Sequence, residues 1–207
     1  MKRIEKYLLL LIVIAISLFT LLVITNKTRY LDYKIFVMIH NIIKYNDINM
    51  VKLISDLSVI LGILLSSLMA LYFSKKMFLK NIINIIFAYV LNFCVKICFC
   101  IPRPSWKLTS AVGYSYPSAH TMLALVVYGN IIYLTNTFIK QRVIRIIICM
   151  LSVFMIILTG LSRIYLGVHY ASDVIGAYII ALIYLLGINY FYETSNNSRK
   201  IMKNNVK

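Results

Sequence analysis

Residues 162–173 read Ser-Arg-Ile-Tyr-Leu-Gly-Val-His-Tyr-Ala-Ser-Asp and separate two long apolar runs, near 143–161 and 173–192. A helix needs about 20 apolar residues to cross the hydrocarbon core of a bilayer, and each run is close to that length. The polar stretch between them is therefore predicted to connect two membrane-spanning helices. Charged side chains cost free energy at such a position, so its arginine, histidine and aspartate are candidate functional residues.

Further apolar runs of similar length cover most of the chain. With 61% hydrophobic residues and a mean hydropathy of +0.86 over 207 residues, the chain is too apolar for an ordinary soluble domain. The sequence predicts an all-α fold, a bundle of six transmembrane helices formed by one domain over 1–193 and followed by a cytoplasmic tail over 194–207. The other four predicted spans lie near 7–25, 53–73, 82–101 and 118–136.

The distribution of basic residues predicts the orientation in the membrane. The net charge is +16, from 22 Lys and Arg against 6 Asp and Glu, and the basic residues cluster at alternate ends of the runs. Cytoplasmic loops are enriched in Lys and Arg, so both termini of this multi-pass plasma-membrane protein are expected in the cytoplasm. The charge is thereby explained by topology and by contact with anionic lipids of the bilayer, and no nucleic-acid partner is expected. The segments predicted to lie outside are 26–52, 102–117 and 162–172.

The outer segment 26–52 is predicted to contain a short helix in the membrane interface. Its apolar residues recur at helical spacing, at Leu31, Ile35, Met38 and Ile42. His40 in this segment is expected to lie at the surface. Asp56, near the outer end of the second span, is either an addition to the site or an interfacial acid, and the second interpretation is favoured.

Two cations lie near the outer end of the third run. Lys96 is followed seven residues later by Arg103, which lies between two prolines that are expected to end the helix. On a continuous helix this spacing places both cations on one face. Two interpretations stay open at this point. The cations belong to a functional site, or they are a lysine whose amine reaches the interface and an ordinary interfacial arginine.

A second polar piece, Pro-Ser-Ala-His at 117–120, begins the fourth run. Ser118 suits the N-cap of a helix, and the free N–H groups at a helix N-terminus bind anions. His120, in the first turn, would direct its imidazole at such an anion. The alternative is a capping serine beside an interfacial histidine.

The stretch quoted first contains a histidine and an aspartate four residues apart, His169 and Asp173. On a helical turn they share a face, so the carboxylate can accept a hydrogen bond from one ring nitrogen and leave the other nitrogen free. A paired acid close to a membrane span favours a functional interpretation from the residues alone.

The patterns K-x6-R-P, P-S-x-H and S-R-x5-H-x3-D occur in this order between 96 and 173. Together they resemble the three signatures of the type-2 phosphatidic acid phosphatase family, which includes bacterial lipid phosphate phosphatases and, more distantly, soluble vanadium haloperoxidases. The six apolar runs leave no soluble body and disfavour a haloperoxidase. One position departs from the family, whose second motif usually has glycine where this chain has Ala119.

The resemblance implies hydrolysis of a phosphate through a phosphohistidine intermediate. His169 is then the expected nucleophile, Asp173 the acid that orients it, and His120 the group that protonates the leaving oxygen and later activates water. The residues expected to bind the phosphate are Lys96, Arg103, Ser118 and Arg163.

The expected substrate is a lipid phosphate in the outer leaflet, reached by a site on the extracytoplasmic side. Undecaprenyl diphosphate is the first choice, with phosphatidylglycerol phosphate and phosphatidic acid as alternatives. Three fixed cations can stabilise a phosphoryl group, so metal-independent hydrolysis without a cofactor is predicted. A membrane protein that binds or transports a lipid phosphate without cleaving it is the alternative of another class. The four cysteines are expected to be buried apolar side chains, not metal ligands, and no oligomeric state is predicted.

Overall fold

The computed structural model describes the backbone of residues 3–43 and 47–204 and the side-chain surroundings of residues 14–43 and 47–188. Over these residues the chain forms helices and no strand, so the all-α prediction is confirmed. The helices are α1 (Arg3–Ile24), α2 (Arg29–Ile42), α3 (Ile48–Phe73), α4 (Lys75–Phe99), α5 (Ala119–Phe138), α6 (Arg142–Tyr165) and α7 (Ala171–Asn204).

Five helices in the described part are long and apolar enough to cross a membrane: α3, α4, α5, α6 and the Ala171–Ile188 part of α7. They coincide with the second to sixth predicted spans and identify a multi-pass membrane protein. The first predicted span, 7–25, falls on α1, of which only Ile14–Ile24 is a described apolar helix. The side chains of 7–13 and of the predicted tail over 194–207 lie outside the described residues. The count of six spans therefore stays a prediction.

The spans expose apolar side chains and bury polar ones. In a bilayer the lipid tails accept apolar groups, whereas polar groups gain by pairing inside the bundle. On α3, Ser58 is buried and its Oγ lies 2.7 Å from Oγ1 of Thr159 on α6. The expected burial of the cysteines is wrong, because this apolar outer surface accommodates thiols: three of the four are exposed and Cys149 is half-buried. The exposed cysteines are Cys94, Cys98 and Cys100.

α5 lies at the centre of the bundle, packed against α3, α4, α6 and α7. Close approach of α3 depends on Gly62, since an added Cβ there would meet the side chains of Val127 and Tyr128 on α5. The helices alternate in direction, so the beginnings of α3, α5 and α7 meet the ends of α4 and α6. We call this the site end of the bundle.

α2 is the short helix predicted within 26–52, and it packs against α6 and α7. One face carries the buried Asp32, and the opposite face exposes apolar side chains. His40, expected at the surface, is half-buried, because its ring stacks on that of Tyr165 with centroids 4.4 Å apart. The exposed apolar residues are Leu31, Met38 and Ile42.

Candidate active site

His169 lies between α6 and α7 and is almost completely buried, with 3% of its surface exposed. Its Nδ1 is 3.4 Å from Oδ2 of Asp173, and its Nε2 is 3.2 Å from Nη1 of Arg103. A guanidinium donates hydrogen bonds and never accepts them, so Nε2 must be the acceptor. The ring proton is consequently on Nδ1, and the lone pair of Nε2 faces the cation.

Asp173, in the first turn of α7, is fixed by further donors. Its Oδ2 accepts hydrogen bonds from the backbone N–H of Tyr170 at 2.9 Å and from the Ser115 hydroxyl. The same hydroxyl lies 3.4 Å from Nδ1 of His169. Ser115 is not predicted from the sequence, because no local spacing links it to an aspartate 58 residues later.

Lys96 projects from the last turn of α4 and holds the loop that precedes α5. Its Nζ donates to the carbonyl oxygens of Tyr114 at 2.6 Å and Ser115 at 3.1 Å. α4 ends at Phe99 and is followed by Cys100 in the left-handed conformation, with φ of 48°. Lys96 and Arg103 therefore do not share the face of one continuous helix.

Arg103 connects the two loops of the site. Its Nε and Nη2 donate to the carbonyl oxygens of Gly113 and Val112 at 3.0 and 2.9 Å. Its Nη1 donates to the carbonyl oxygen of Val168 at 2.8 Å and contacts His169. One planar guanidinium thus holds the loop before α5 and the loop that carries the histidine.

A second group at the site end joins α3, α5 and α6. His120 Nε2 is 2.9 Å from Oδ1 of Asp56, and Arg163 Nη1 is 3.5 Å from the same oxygen. Arg163 Nη1 also donates to Ser55 Oγ at 3.2 Å. The interpretation of Asp56 as a simple interfacial acid is therefore wrong, because packing of α3 against α5 and α6 pairs it with two predicted site residues. Its position as the only acid in the second apolar run was the available signal.

The beginning of α5 retains the features of an anion site. Ser118 occupies the N-cap position, but its side chain makes no capping hydrogen bond and instead accepts one from Thr121 Oγ1 at 2.9 Å. The first-turn N–H groups of a helix have no intrahelical partner, so they are available to an anion. Ala119, at the position where the family usually has glycine, is the first residue of the helix. The Ser118 N–H donates to the Asp173 carbonyl oxygen at 3.3 Å.

The electrostatics around His169 favour a neutral ring. Burial, and then the positive charges of Arg103, Lys96 and Arg163, lower the pKa of His169 well below its ordinary value of 6.5. His120 acts in the same direction, so all these groups lie within electrostatic reach of His169. The arrangement combines three cations with a neutral, buried imidazole, which suits binding of an anion followed by nucleophilic attack.

No three His, Cys, Asp or Glu side chains gather as possible metal ligands within residues 14–43 and 47–188. The positive charge that the structure places around His169 comes from lysine and arginine.

Comparison with known proteins agrees with these patterns. A sequence model described as the PAP2 superfamily matches residues 77–197, more than half of the chain. Phosphatidylglycerophosphatase B of Bacillus subtilis is 31% identical over 104 residues, which are 47% of this chain and 49% of that protein, so the match spans about half of that relative. Undecaprenyl-diphosphatase BcrC of Bacillus subtilis is 28% identical over 166 residues, 74% of this chain and 80% of that protein.

A solved structure has the same fold. It is the crystal structure of a transmembrane PAP2-type phosphatidylglycerolphosphate phosphatase from Bacillus subtilis, which superposes with a TM-score of 0.69 at 22% identity and covers 87% of this chain and 96% of its own. The family match over residues 77–197 includes every residue predicted for the site. The chain is therefore a multi-pass membrane protein that belongs to the PAP2 superfamily.

Proposed function

We propose that this protein is a lipid phosphatase that transfers a phosphoryl group to His169 and then to water. The observation that carries the proposal is the contact between His169 Nε2 and Arg103, with Nδ1 turned toward Asp173. It leaves the nucleophilic lone pair beside a cation that would bind the phosphate. Attack by a neutral, oriented imidazole is an efficient way to form a covalent intermediate.

The cations would bind the transferred phosphoryl group. Arg103 and Arg163 can each donate two hydrogen bonds to phosphate oxygens, and Lys96 adds a point charge. The first turn of α5, after Ser118, supplies backbone donors. Phosphoryl transfer depends mainly on positioning and on stabilisation of charge, which this set provides.

The reaction would proceed in two steps. In the first, Nε2 of His169 forms a bond to phosphorus as the bond from phosphorus to the leaving oxygen breaks, and His120 gives that oxygen its proton. In the second, His120 takes a proton from water as the water oxygen bonds to phosphorus, and the bond to Nε2 breaks to release phosphate. Asp173 accepts from Nδ1 throughout and stabilises the positive charge on the ring.

Asp56 is the partner that would orient His120 for both steps. If Asp56 accepts the proton of Nε2, Nδ1 is the ring nitrogen left to face the leaving group. Asp56 also contacts Arg163, so one carboxylate positions both His120, which transfers the proton, and a cation that would bind the phosphate.

His120→Asn is expected to slow the first turnover of a monoester lipid such as phosphatidic acid by about 10²–10³-fold, because the alkoxide that leaves needs a proton. With nitrophenyl phosphate the loss should be below about 10-fold, because that leaving group departs without a proton. The burst of leaving group in the first turnover is measured by stopped flow for both substrates. Equal losses for the two substrates would contradict a role for His120 as the acid.

The proposed substrate is an outer-leaflet lipid phosphate, with undecaprenyl diphosphate first. The relative named undecaprenyl-diphosphatase matches 74% of this chain, whereas the phosphatidylglycerophosphatase match covers 47%. The basic clusters support six spans, cytoplasmic termini and a site that faces outward. Phosphatidylglycerol phosphate and phosphatidic acid are the alternative substrates.

The purified protein is expected to release phosphate from at least one of these three lipids at an unchanged rate in the presence of EDTA, because lysine and arginine supply the positive charge. Phosphate release is measured in detergent for the wild type and His169→Asn, with and without chelator. Loss of activity on chelation, restored by a divalent cation, would contradict metal independence. Binding of the lipids without release by the wild type would favour a binding or transport protein.

A further inference from the structure

An acidic side chain outside all three sequence patterns holds the beginning of α7. Asp32 on α2 is buried, with 3% of its surface exposed. Its Oδ1 accepts from the backbone N–H of Ser172 at 2.8 Å, and its Oδ2 accepts from the Ser172 hydroxyl at 3.0 Å. First-turn N–H groups have no partner within their own helix, so Asp32 caps α7 from a helix 140 residues away in sequence.

A second residue of α2 holds the other side of the same short segment. The Arg29 guanidinium lies over the ring of Tyr170, 3.3 Å from its centroid, and its Nη1 is 4.0 Å from Oδ2 of Asp32. The N–H of Tyr170 in turn donates to Asp173. The two α2 residues thus bind Tyr170 and Ser172, which lie directly after His169 and directly before Asp173.

Aromatic side chains connect α2 to the second loop of the site. The ring of Trp106 lies 5.2 Å from that of Tyr33 and 5.8 Å from that of Phe36, both on α2, and 5.5 Å from that of Tyr170. Gly167 has a φ of +65°, and a Cβ there would lie 2.8 Å from the Trp106 carbonyl oxygen. α2 therefore packs against both loops that carry site residues.

We propose that Asp32 is a positioning residue. By capping α7 at Ser172, it holds His169 and Asp173 in their positions relative to Arg103. This inference rests on the proposed function, since positioning matters through the reaction of His169. Asp32 is hydrogen-bonded to neither the reacting nitrogen nor Arg103, so it acts through its two bonds to Ser172 and its contact with Arg29, which lies over Tyr170. A displacement of about 1 Å at a reacting group can cost on the order of 10²-fold in rate, so a cap at this place can control turnover.

The test compares Asp32→Ala with a matched loss of a helix cap elsewhere. Asp47 caps α3 by accepting from the Met50 N–H at 3.0 Å, and it lies outside the site. Asp32→Ala is expected to lower kcat by about 30-fold. KM should change less than about 3-fold, because the cations that bind the phosphate stay in place. Asp47→Ala should stay within about 2-fold of the wild-type kcat, since that cap touches no site residue.

Ser172→Ala provides a milder variant for the case in which Asp32→Ala does not fold. It removes the hydroxyl bond to Oδ2 but keeps the backbone N–H bond to Oδ1. The expected loss in kcat is about 3-fold, again without a rise in KM. A wild-type kcat in whichever of the two variants folds would overturn the proposal.

Hydrogen exchange gives a readout that does not need turnover. Asp32→Ala should increase exchange at the amides of Tyr170 and Asp173, whereas Asp47→Ala should leave them as protected as in the wild type. If the wild type releases no phosphate, the proposed function fails, and the exchange comparison alone decides whether Asp32 holds the loop. Unchanged exchange in Asp32→Ala would overturn the positioning role even in an active enzyme.

Discussion

Replacing His169 with alanine is expected to lower phosphate release by on the order of 10³-fold or more. In the described structure this ring carries the lone pair that faces Arg103, and its proton is turned toward Asp173 and Ser115. No other step of the proposed reaction can replace the bond that Nε2 forms to phosphorus. Initial rates are measured at saturating lipid phosphate in detergent, together with the thermal unfolding midpoint to verify that the variant folds.

His40→Gln is the matched control for this variant. His40 is also a histidine near the site end, but its Nδ1 bonds to the Phe36 carbonyl oxygen and its ring stacks on Tyr165. It should keep about a third or more of the wild-type rate, since it contacts packing residues only. A His169→Ala enzyme that retains more than about a tenth of the wild-type rate would be incompatible with covalent catalysis at this residue.

Arg103→Lys is expected to lower kcat/KM by about 10²–10³-fold although the charge is kept. A lysine side chain has one nitrogen. The Arg103 guanidinium has three, which donate to the carbonyl oxygens of Val112, Gly113 and Val168 and contact His169. A lysine cannot hold both loops and bind a phosphate at once. Steady-state kinetics over a range of lipid phosphate concentrations measure the loss.

Arg142→Lys controls for a change from arginine to lysine in the same protein. Arg142 begins α6 at the end of the bundle opposite the site. Its replacement should change kcat/KM by less than about 2-fold, because a surface charge is retained. If Arg103→Lys were as active as Arg142→Lys, the loop-bridging role of the guanidinium would be refuted.

The features that the sequence predicted are those with a local signal. Runs of apolar residues near the thickness of a bilayer located the five spans of the described part, and the three patterns located His120, His169 and the cations. The contact between His169 and Asp173 could be predicted because the two residues are four apart. The short helix within 26–52 followed from the spacing of its apolar residues.

The features that the sequence did not predict arise from packing between distant helices. Asp56 meets His120 because α3 packs against α5, and Asp32 meets Ser172 because α2 packs against α7. Ser115 reaches Asp173 across two loops. Pairs of this kind share no spacing in the chain, so the available signal was an acid placed in an apolar or interfacial segment, where a charge costs free energy. The prolines beside Arg103 predicted that the helix ends there, but not that it ends at Phe99, since a left-handed Cys100 has no distinctive sequence signal.

The central claim is that phosphate becomes bonded to His169 during the reaction. His120→Asn with nitrophenyl phosphate should allow the first step and stall the second, so that the intermediate accumulates. The enzyme is quenched in alkaline detergent after one turnover, digested and analysed by mass spectrometry. The account predicts one acid-labile phosphate on the peptide that contains His169, absent when His169 is also replaced. Release of the nitrophenyl group with no phosphate on that peptide, or with phosphate on another residue, would contradict it.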